Sequence, residues 1–597
     1  MWMGGTHEPL EEIHFGHRLR IVTVLALACF SLIGIRLFAL QVLQGEQMES
    51  LSERNRLQLI FLRAPRGRIL DDRGVPLLDN GPSFTVFYSP ASSSEAAQEK
   101  VRQYLSRISV FDPDWVQRKL SEAHRIRQFV RLAENVPRTV ALKLIEDSHD
   151  LPGLTVSVEA RRVYAPDYPG AHLLGSLGEV TRPELFSRSG GLFHSGDLVG
   201  RAGTEKSYDP LLRGQNGGLE IEVDSSGRQV QLMHRVEPVN GNDLILNVDL
   251  KVQQAAEQAL AESSTGRGAV VAMDPRTGAI LALASAPTFD IGAGLSRSIK
   301  DKRLPLFNRA IQGVYPLGSC FKMVTAVAAL EKGAIVPSTR FNCTGSYTLG
   351  QRVFRCWKTH GWNDFYGAMA MSCDVYFFQV AARMAPAALE SYAREFGLGE
   401  RTGIDIPGEV AGLLPGPEWA DQVAHRPWFE GDTFNLSIGQ GQLLVTPIQA
   451  AVLMAAVATR GSVYKPTLVR EVRGPRGNLI SENKPQLLRT ISVRDSTWQV
   501  LQEALEKVVR EGTGQQAQIP GWTVYGKTGT AQNPHGDDHA WFLCAAGRPG
   551  EPAQLVVSAF VENGGHGGTA AVPVAKSVMK AALGLEGSGD VQPAAAR

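Results

Sequence analysis

Two groups of apolar, strand-forming segments bracket the C-terminal half of this 597-residue chain, and they constrain its fold more than any other feature. Residues 269–274 and 279–284 flank a Pro-Arg-Thr-Gly turn, a pattern that predicts a β-hairpin. Three further segments of strand character lie late in the chain: residues 524–531, 540–546 and 555–561. A final helix is predicted at residues 574–583, with Pro573 at its start. Because helix-forming sequence fills the interval, we expect one five-stranded antiparallel sheet flanked by helices, in an α+β domain.

A turn-rich link at residues 239–243 marks the start of that domain, and a helix-forming segment at residues 250–260 follows it. We therefore assign residues 241–585 to the sheet-containing domain. Residues 44–240 are assigned to an elongated domain of mixed strands and amphipathic segments, without a nucleophile motif. Residues 586–597 have the composition of a disordered tail. A hydrophobic content of 43% suffices for more than one core, and a formal net charge of +1 gives no reason to expect a nucleic-acid partner.

The N-terminal segment has the composition of a membrane anchor. Residues 21–43 are largely apolar, and their one charged residue, Arg36, can extend its side chain to the interface. Since roughly 20 apolar residues cross the hydrocarbon core, we predict a single transmembrane helix. Arg18 and Arg20 precede it and favour a cytoplasmic location for residues 1–20. The rest of the chain is then expected on the extracytoplasmic side of the membrane.

Two alternatives exist for this apolar segment. Residues 26–28 (Ala-Leu-Ala) have the form of a signal-peptidase site, and Ala28-Cys29 is faintly similar to a lipoprotein site. A cleaved signal ends its apolar region near the cleavage site, whereas this apolar run continues well past it. We therefore expect an uncleaved helix, with Cys29 as a lipid-facing or packing residue.

Three short motifs that can carry nucleophilic chemistry follow one another in the 241–585 domain. They are Ser319-Cys-Phe-Lys322, Ser372-Cys-Asp374 and Lys527-Thr-Gly529. Each is common by chance, but their order, spacing and local sequence predict one active site. Residues three apart share a face of a helix, so a helix that begins near Ser319 places Lys322 beside it.

Ser319 and Lys322 have the residue types of a nucleophile and its general base. A serine hydroxyl is a weak nucleophile unless a neighbouring group accepts its proton. A lysine accepts that proton when burial, the positive charge of Lys527 and the positive end of a helix keep its amine neutral. The alternative, an exposed serine beside a solvated lysine, is usual for a Ser-x-x-Lys sequence found alone.

Ser372 and Asp374 are expected to complete the catalytic group. The Ser372 hydroxyl can pass a proton to a leaving amine. Asp374 introduces a conflict, because a carboxylate next to Lys322 favours the charged form of the base. We expect Asp374 to orient the substrate or to pair with Lys527, with a plain solvated aspartate as the alternative.

The Lys527-Thr-Gly529 segment is predicted to be an edge strand that lines the cleft. Lys527 and Thr528 can bind a substrate carboxylate, and Gly529 lets a substrate backbone approach the strand. His539 and Trp541, in the next predicted strand, are expected to be structural.

These motifs resemble those of the penicillin-binding proteins, the serine DD-transpeptidases that cross-link peptidoglycan. The resemblance covers nearly the whole chain and includes signature segments of the class B, monofunctional members: residues 64–74, 203–208 and 211–214. Residues 428–441 and 446–449 resemble the elongation-type penicillin-binding protein 2. Most of the family has asparagine at the position of Asp374, and aspartate there resembles the elongation subtype.

The resemblance implies a membrane-anchored DD-transpeptidase that acts on stem peptides through a Ser319 acyl-enzyme during cell elongation and is inhibited by β-lactams. It implies an oxyanion hole formed by the backbone N–H groups of Ser319 and Thr530, and it places Thr530 in the substrate-binding strand. It also makes residues 44–240 a pedestal or dimerisation-type domain, with a polytopic SEDS-type glycosyltransferase as partner. The alternatives are a DD-carboxypeptidase, a β-lactamase, and a non-catalytic β-lactam sensor or scaffold that activates the glycosyltransferase.

Three cysteines and a histidine lie near the second motif: Cys343, Cys356, His360 and Cys373. Three thiols and an imidazole can form a tetrahedral zinc site, although these spacings match no standard zinc finger. A Cys343–Cys356 disulfide or unrelated packing residues are the alternatives. Some relatives of the elongation subtype have metal ligands in this stretch with the histidine two positions later. Trp362 stands there in this chain, so Asp364 is a substitute for His360 as fourth ligand. No cofactor is expected to be required for the chemistry.

Overall fold

The computed structural model describes residues 10–44, 57–89, 95–126, 130–164, 169–185, 193, 196–223, 229–292 and 295–585. The tail predicted at residues 586–597 and residues 1–9 of the predicted cytoplasmic segment lie outside the described residues. The chain divides into two compact units. The first contains residues 1–64, 82–160 and 215–239, and the second contains residues 65–81, 161–214 and 240–597.

A long apolar helix begins the first unit. It runs over Leu10–Phe38 and continues as a π-helical turn at Ala39–Leu43. The stretch Arg18–Leu43 has a mean hydropathy of 2.4, and its side chains are largely exposed. By length and composition this helix can cross a membrane. It begins before the predicted span of residues 21–43, and its π-helical turn ends where that span ends.

The rest of the first unit combines strands with helices that pack on them. One antiparallel sheet is formed by strands Leu57–Leu62, Gly217–Val223 and Gln229–Val236. Strand Val130–Val136 pairs with the last residues of strand Pro76–Tyr88. The helical elements of this unit are Glu95–Leu105, Pro113–Ile126, Arg138–Glu146 and the turn Asp147–Asp150. Leu105, Leu120, Leu132 and Leu144 belong to their shared apolar core.

The second unit begins with a small sheet and several short elements. The sheet consists of Leu479–Glu482, Val469–Arg473, Asp243–Leu246, Ile69–Leu70 and the first residues of Pro76–Tyr88. The strand Leu154–Tyr164 ends in this unit. The short elements are Ala171–Leu174, Leu177–Glu179, Arg182–Leu185, Leu198–Gly200, Gly203–Ser207 and Asp209–Leu212.

The signature segments noted in the sequence meet through buried ion pairs. Arg66 lies 2.6 Å from Glu205 and 2.8 Å from Asp209, and Arg162 lies 2.8 Å from Glu205. This network links residues 64–74 to residues 203–208. Removal of one partner would destabilise the link, because it would leave a buried charge uncompensated.

A five-stranded antiparallel sheet forms the centre of the second unit. Its strands are β1 (Gly268–Met273), β2 (Ile280–Ala286), β3 (Thr523–Ala531), β4 (His539–Gly547) and β5 (Leu555–Val561). Each lies within two residues of a segment predicted from the sequence. The strand order is β2-β1-β5-β4-β3, so β3, which carries Lys527-Thr-Gly529, is an edge strand.

Helices cover both faces of this sheet. Those used below are α1 (Leu250–Ala261), α2 (Lys322–Glu331), α3 (Phe365–Ala370), α4 (Asp374–Ala381), α5 (Glu430–Ser437), α6 (Asp495–Glu511) and α7 (Gly567–Ala582). Alternate residues of β1 enter two different cores. Val270 joins residues of α1 and α7 in the smaller core, and Val271 joins residues of α2 in the larger one.

The remaining elements of this unit are further helices and short strands. The helices are Ser296–Lys300, Pro386–Glu395, Pro417–Gln422, Pro447–Ala458 and the turn Gln515–Ala517. The strands are Phe341–Cys343, Ser346–Leu349, Arg352–Arg355, Gly361–Asn363, Ser462–Tyr464 and Leu487–Thr490.

The predicted start of the last helix is wrong. Helix α7 begins at Gly567, so Pro573 lies inside it and not at its first position. Gly567 packs against the backbone of strands β3 and β4, where a Cβ would lie 2.4 Å from the Gly529 oxygen. This tertiary packing extends the helix across a residue that disfavours helix interiors.

Candidate active site

The predicted nucleophile, Ser319, lies in a tight turn against the edge strand. The turn Gly318–Phe321 is a 3₁₀ helix that leads directly into α2. Gly318 has a φ of +57°, and a Cβ there would lie 2.6 Å from the Thr530 oxygen. Its N–H donates to the Gly439 oxygen at 2.9 Å. Only glycine fits this position without strain, so the turn holds the half-buried Ser319 close to β3.

Lys322 is fully buried and makes three hydrogen bonds. Its Nζ donates to Asp374 Oδ1 at 2.7 Å, to the Ser372 carbonyl at 2.9 Å and to Ser372 Oγ at 3.2 Å. The ion pair predicted between Asp374 and Lys527 is therefore wrong, because the carboxylate pairs with Lys322. The solvated alternative is also wrong, since burial raises the pKa of the Asp374 carboxyl and the charge of Lys322 opposes that shift.

Ser372 occupies a position at which glycine is the usual residue. It follows the end of α3 with a φ of +55°. Its N–H donates to the Met369 oxygen and the next N–H, of Cys373, donates to the Ala368 oxygen, which is the hydrogen-bond pattern of a Schellman cap. A non-glycine residue costs about 1 to 2 kcal/mol in this left-handed conformation. Serine at this position therefore costs stability, and we attribute its presence to the role of its hydroxyl in the site.

Ser372→Gly is expected to be more stable than Ser372→Ala by about 1 kcal/mol, because glycine adopts the left-handed conformation without a Cβ penalty. Both variants lose the hydroxyl, so both should slow acylation of Ser319 by about 100-fold. Urea unfolding and labelling rates would measure the two effects. An alanine variant at least as stable as the glycine variant would contradict this account of the cap.

Lys527 is the second buried cation at this hydroxyl. Its Nζ donates to Ser372 Oγ at 2.9 Å and to the Thr528 carbonyl at 3.0 Å. Burial and then the charge of Lys322 lower the pKa of Lys527 to about 7, with Cys320 and Asp374 acting in the opposite direction. The two buried lysines share one oxygen, and the lowered pKa gives Lys527 a substantial neutral fraction near neutral pH.

The open edge of β3 presents backbone groups beside Ser319. The Gln440 side chain donates to the Thr530 carbonyl at 3.5 Å. In an antiparallel pair, the N–H and C=O of one residue point to the same side of the strand. The Thr530 N–H therefore points to this open edge as well. Gly529 lies against the nucleophile turn, where a Cβ would be 2.9 Å from both Cys320 Sγ and the Leu317 oxygen.

His539 and Trp541 lie under the nucleophile turn and not in the cleft. Trp541 Nε1 donates to the Pro316 oxygen at 2.9 Å. His539 Nδ1 accepts a hydrogen bond from the Asn563 N–H at 3.1 Å, and burial lowers the pKa of this histidine. Both rings contact Tyr315. These contacts support the structural role expected for both residues.

The four metal-ligand candidates converge beside the second motif. One ligand atom each from Cys343, Cys356, His360 and Cys373 lies within 4.8 Å of the others. His360 Nδ1 is 3.6 Å from Cys343 Sγ and 3.5 Å from Cys356 Sγ. All six cysteines are free, so the alternative of a Cys343–Cys356 disulfide is wrong.

The proposed substitute ligand has a different position. Asp364 is the N-cap of α3, where its carboxylate accepts from the Gly367 N–H at 2.8 Å. Cys356 Sγ accepts a hydrogen bond from the Asp374 N–H at 3.3 Å, which connects the cysteine cluster directly to the catalytic motif. A hydrogen bond from the Cys373 thiol lowers the pKa of Cys356.

Two residues near the site carried no recognised signal in the sequence. Thr513 follows α6 and contacts Thr528 through its hydroxyl. Gln440 contacts Thr530, although the segment that contains it was noted only as a family signature. The Gly512-Thr513-Gly514 sequence is a turn signal, but nothing local indicates that the turn lies against β3.

The chain matches two protein-family models. Residues 268–580 match the penicillin binding protein transpeptidase domain, and residues 61–246 match the penicillin-binding protein dimerisation domain. The chain is 33% identical to the peptidoglycan D,D-transpeptidase MrdA of Acinetobacter baumannii. The alignment has 599 positions and covers 95% of this chain and 88% of that protein.

Solved structures give the same relationship. A chain of a peptidoglycan synthase complex that coordinates polymerization and crosslinking is similar with a TM-score of 0.71 and 31% identity, covering 96% of this chain and 100% of that chain. The complex of penicillin-binding protein 2 and MreC from Helicobacter pylori contains a similar chain with a TM-score of 0.76 and 25% identity, covering 88% and 99%. The chain therefore belongs to the penicillin-binding protein transpeptidases. Within that family it is similar to the MrdA proteins and to structures of penicillin-binding protein 2.

Proposed function

We propose that this chain is a peptidoglycan D,D-transpeptidase in which Ser319 forms the acyl-enzyme. The observation that carries the proposal is the convergence of the three motifs on one hydroxyl. Lys322 and Lys527, which lie in separate elements, both donate to Ser372 Oγ. This arrangement gives the serine nucleophile a buried proton-transfer network beside an open strand edge.

The first step requires Lys322 to be neutral, whereas at rest it donates three hydrogen bonds, the full capacity of an ammonium group. Ser372 provides a route for the excess proton. Lys322 gives a proton to Ser372 Oγ, and Ser372 gives its own proton to Lys527. A substrate carboxylate next to Lys527 favours the charged form of that lysine. Substrate binding therefore charges Lys527 and frees the Lys322 amine, which Asp374 holds in place.

Ser319 Oγ then attacks the carbonyl of the penultimate D-alanine, and its proton passes to Lys322. The C–N bond breaks, and the proton that Lys322 accepted passes through Ser372 Oγ to the departing D-alanine amine. The N–H groups of Ser319 and Thr530 hold the oxyanion, and loss of one such donor typically costs about 100- to 1,000-fold in turnover. In the second half, an amine of a neighbouring stem peptide attacks the ester, and its proton returns to Ser319 through Lys322. A β-lactam acylates the same serine.

The binding strand supplies the contacts that place the donor peptide. Lys527 and Thr528 bind its terminal carboxylate. Gly529 allows the peptide backbone to approach β3, and the peptide adds to the open edge in the manner of a further strand, in contact with Thr530. The absence of a side chain at Gly529 is already required by its contacts with the nucleophile turn.

The anchor and the domain organisation support a role in a membrane assembly. Residues 21–43 form a single-pass anchor, with residues 241–585 as the catalytic domain on the periplasmic side and residues 44–240 as the pedestal. The basic Arg18 and Arg20 support this orientation. A polytopic SEDS-type glycosyltransferase is the proposed partner, supported by the similar chain in a peptidoglycan synthase complex.

The cysteine cluster fits a structural zinc ion. Cys343, Cys356, His360 and Cys373 provide a Cys₃His donor set, which is typical of tetrahedral zinc sites. His360 Nδ1 faces the thiols of Cys343 and Cys356, and the buried Nε2 has no hydrogen-bond partner among the described residues, which leaves Nδ1 as the ligand atom. Such an ion supplies no catalytic step here, and it would hold Cys373 and hence Ser372 and Asp374 in register.

The experiment that tests the function uses the full chain in detergent, a fluorescent penicillin and mass spectrometry. Labelling is expected on the peptide that contains Ser319, with none in Ser319→Ala and an unchanged amount in Ser481→Ala, which alters an exposed serine of a surface strand. With a D-Ala-D-Ala stem peptide and an amine acceptor, D-alanine release should be accompanied by a cross-linked product. Release without cross-linking would indicate a carboxypeptidase, and labelling without release would indicate a sensor or scaffold.

A further inference from the structure

The turn Gly512–Gly514, at the end of α6, lies between the second motif and the substrate-binding strand. The Thr513 N–H donates to the Ala370 oxygen at 3.2 Å. A Cβ on Gly512 would lie 2.3 Å from the same oxygen. Ala370 ends α3, two residues before Ser372. The turn is therefore packed tightly against the helix end that positions the catalytic loop.

The side chain of Thr513 reaches the opposite neighbour, strand β3. Its Oγ1 lies 2.5 Å from the Thr528 Oγ1, a hydrogen bond in which either hydroxyl can donate. Thr528 is buried and Thr513 is half-buried. Among the residues that the structure describes, the Thr528 hydroxyl has no other hydrogen-bond partner. A single contact thus decides which way the Thr528 proton points.

We propose that Thr513 is a positioning residue that sets the specificity of this enzyme for donors with a free carboxylate. Thr513 donates to Thr528 Oγ1, and this leaves the Thr528 proton free to donate to the substrate carboxylate. Hydrogen bonds in such a chain polarise and strengthen one another. If Thr528 donated to Thr513 instead, it would have no proton for the carboxylate. This inference rests on the proposed function, in which Thr528 binds that carboxylate.

The test compares wild type, Thr513→Val and Thr513→Ser in the full-length protein. Valine keeps the shape of threonine and removes the donor, whereas serine keeps the donor. Stopped-flow measurements with a fluorescent penicillin separate the dissociation constant from the acylation rate constant. We expect Thr513→Val to weaken binding by about 2- to 4-fold, since the Thr528–carboxylate hydrogen bond remains but loses its polarisation by Thr513, an effect of about 10 to 30% per bond. Its acylation rate constant should stay within about 2-fold of wild type, and Thr513→Ser should bind as wild type does.

The methyl ester of the same penicillin provides the matched ligand without a charge. The three proteins should bind this ester equally, because the Thr528 proton then has no carboxylate to meet. Thr569→Val, on the exposed surface of α7, is the control for a general effect of the substitution.

Three results would overturn the inference. Thr513→Val could bind the acid as wild type does, it could lose the ester and the acid equally, or Thr513→Ser could fail to restore binding. Each of these leaves Ser319 labelled in the wild-type protein and the proposed function intact. A wild-type protein that is not labelled at all would instead remove the proposed function, and this inference with it.

Discussion

Lys322→Met is expected to slow acylation of Ser319 by about 100- to 10,000-fold, the range observed when a general base is removed. Methionine has a similar length to lysine, and its thioether can replace Nζ over the Phe377 ring, whose centroid lies 5.4 Å from that nitrogen. It has no lone pair of comparable basicity to receive the Ser319 proton. The rate is measured by stopped-flow labelling with a fluorescent penicillin.

The stability of this variant must be separated from its chemistry. Lys322→Met leaves the Asp374 carboxylate buried without its partner, and breaking a buried ion pair costs about 3 to 5 kcal/mol. The double variant Lys322→Met/Asp374→Asn removes that charge and should recover much of the stability while acylation stays slow. Lys332→Met, at the exposed end of the same helix, is the matched control and should label at the wild-type rate.

A double variant that is stable and labels as fast as wild type would show that Lys322 is not the base. Lys527 would then be the remaining amine at Ser372 Oγ. The proton route proposed through Ser372 would have to run in the opposite direction. Slow labelling in the stable double variant assigns the loss to the missing amine.

The motif residues could be proposed from the sequence because each motif is a local signal. Ser319 and Lys322 are three positions apart and Ser372 and Asp374 two, so each pair can be recognised within a short stretch of sequence. The strands of the central sheet were predictable for the same reason. Apolar, strand-forming segments such as residues 540–546 and 555–561 can be recognised without knowledge of their partners.

Contacts between distant segments were not predictable in this way. Asp374 was expected to orient the substrate or to pair with Lys527, and the packing of α4 against α2 instead pairs it with Lys322, the neighbour that the sequence had indicated as a conflict. Thr513 carried no signal, because its contact with Thr528 depends on where α6 ends relative to β3. Pro573 was read as a helix start from propensity, and tertiary packing of Gly567 overrode that preference. In each case the deciding interaction is non-local.

The residues of the cysteine cluster could be named from the sequence, but their convergence could not be predicted. The sequence left zinc, a disulfide and unrelated packing open, since the spacings define no known finger. The fold brings Cys373 of the catalytic motif to Cys343 and Cys356 of two hairpin segments, and His360 to the same point. Convergence of these four ligands from separate segments is a three-dimensional property.

Removal of the proposed zinc is expected to lower the melting temperature by about 10 °C or more. The ligand set joins separate segments of the chain, and metal binding free energy at such sites becomes folding free energy. Metal analysis of the purified full-length protein should give about one zinc per chain. A chelator strong enough to remove it should lower both the melting temperature and the rate of Ser319 labelling, and added zinc should restore both.

Cys373→Ala and Cys544→Ala provide the matched comparison. Both are buried cysteines, but Cys544 lies in β4, outside the cluster, where its Sγ contacts Met579. We expect Cys373→Ala to lose zinc and Cys544→Ala to retain it. Because Cys373 separates Ser372 from Asp374 and the Asp374 N–H donates to Cys356 Sγ, loss of the metal should also disorder the second motif and slow acylation. Wild-type protein that contains no zinc and melts unchanged in a chelator would leave the four residues as a packing cluster, with the position of Ser372 maintained by the α3 cap alone.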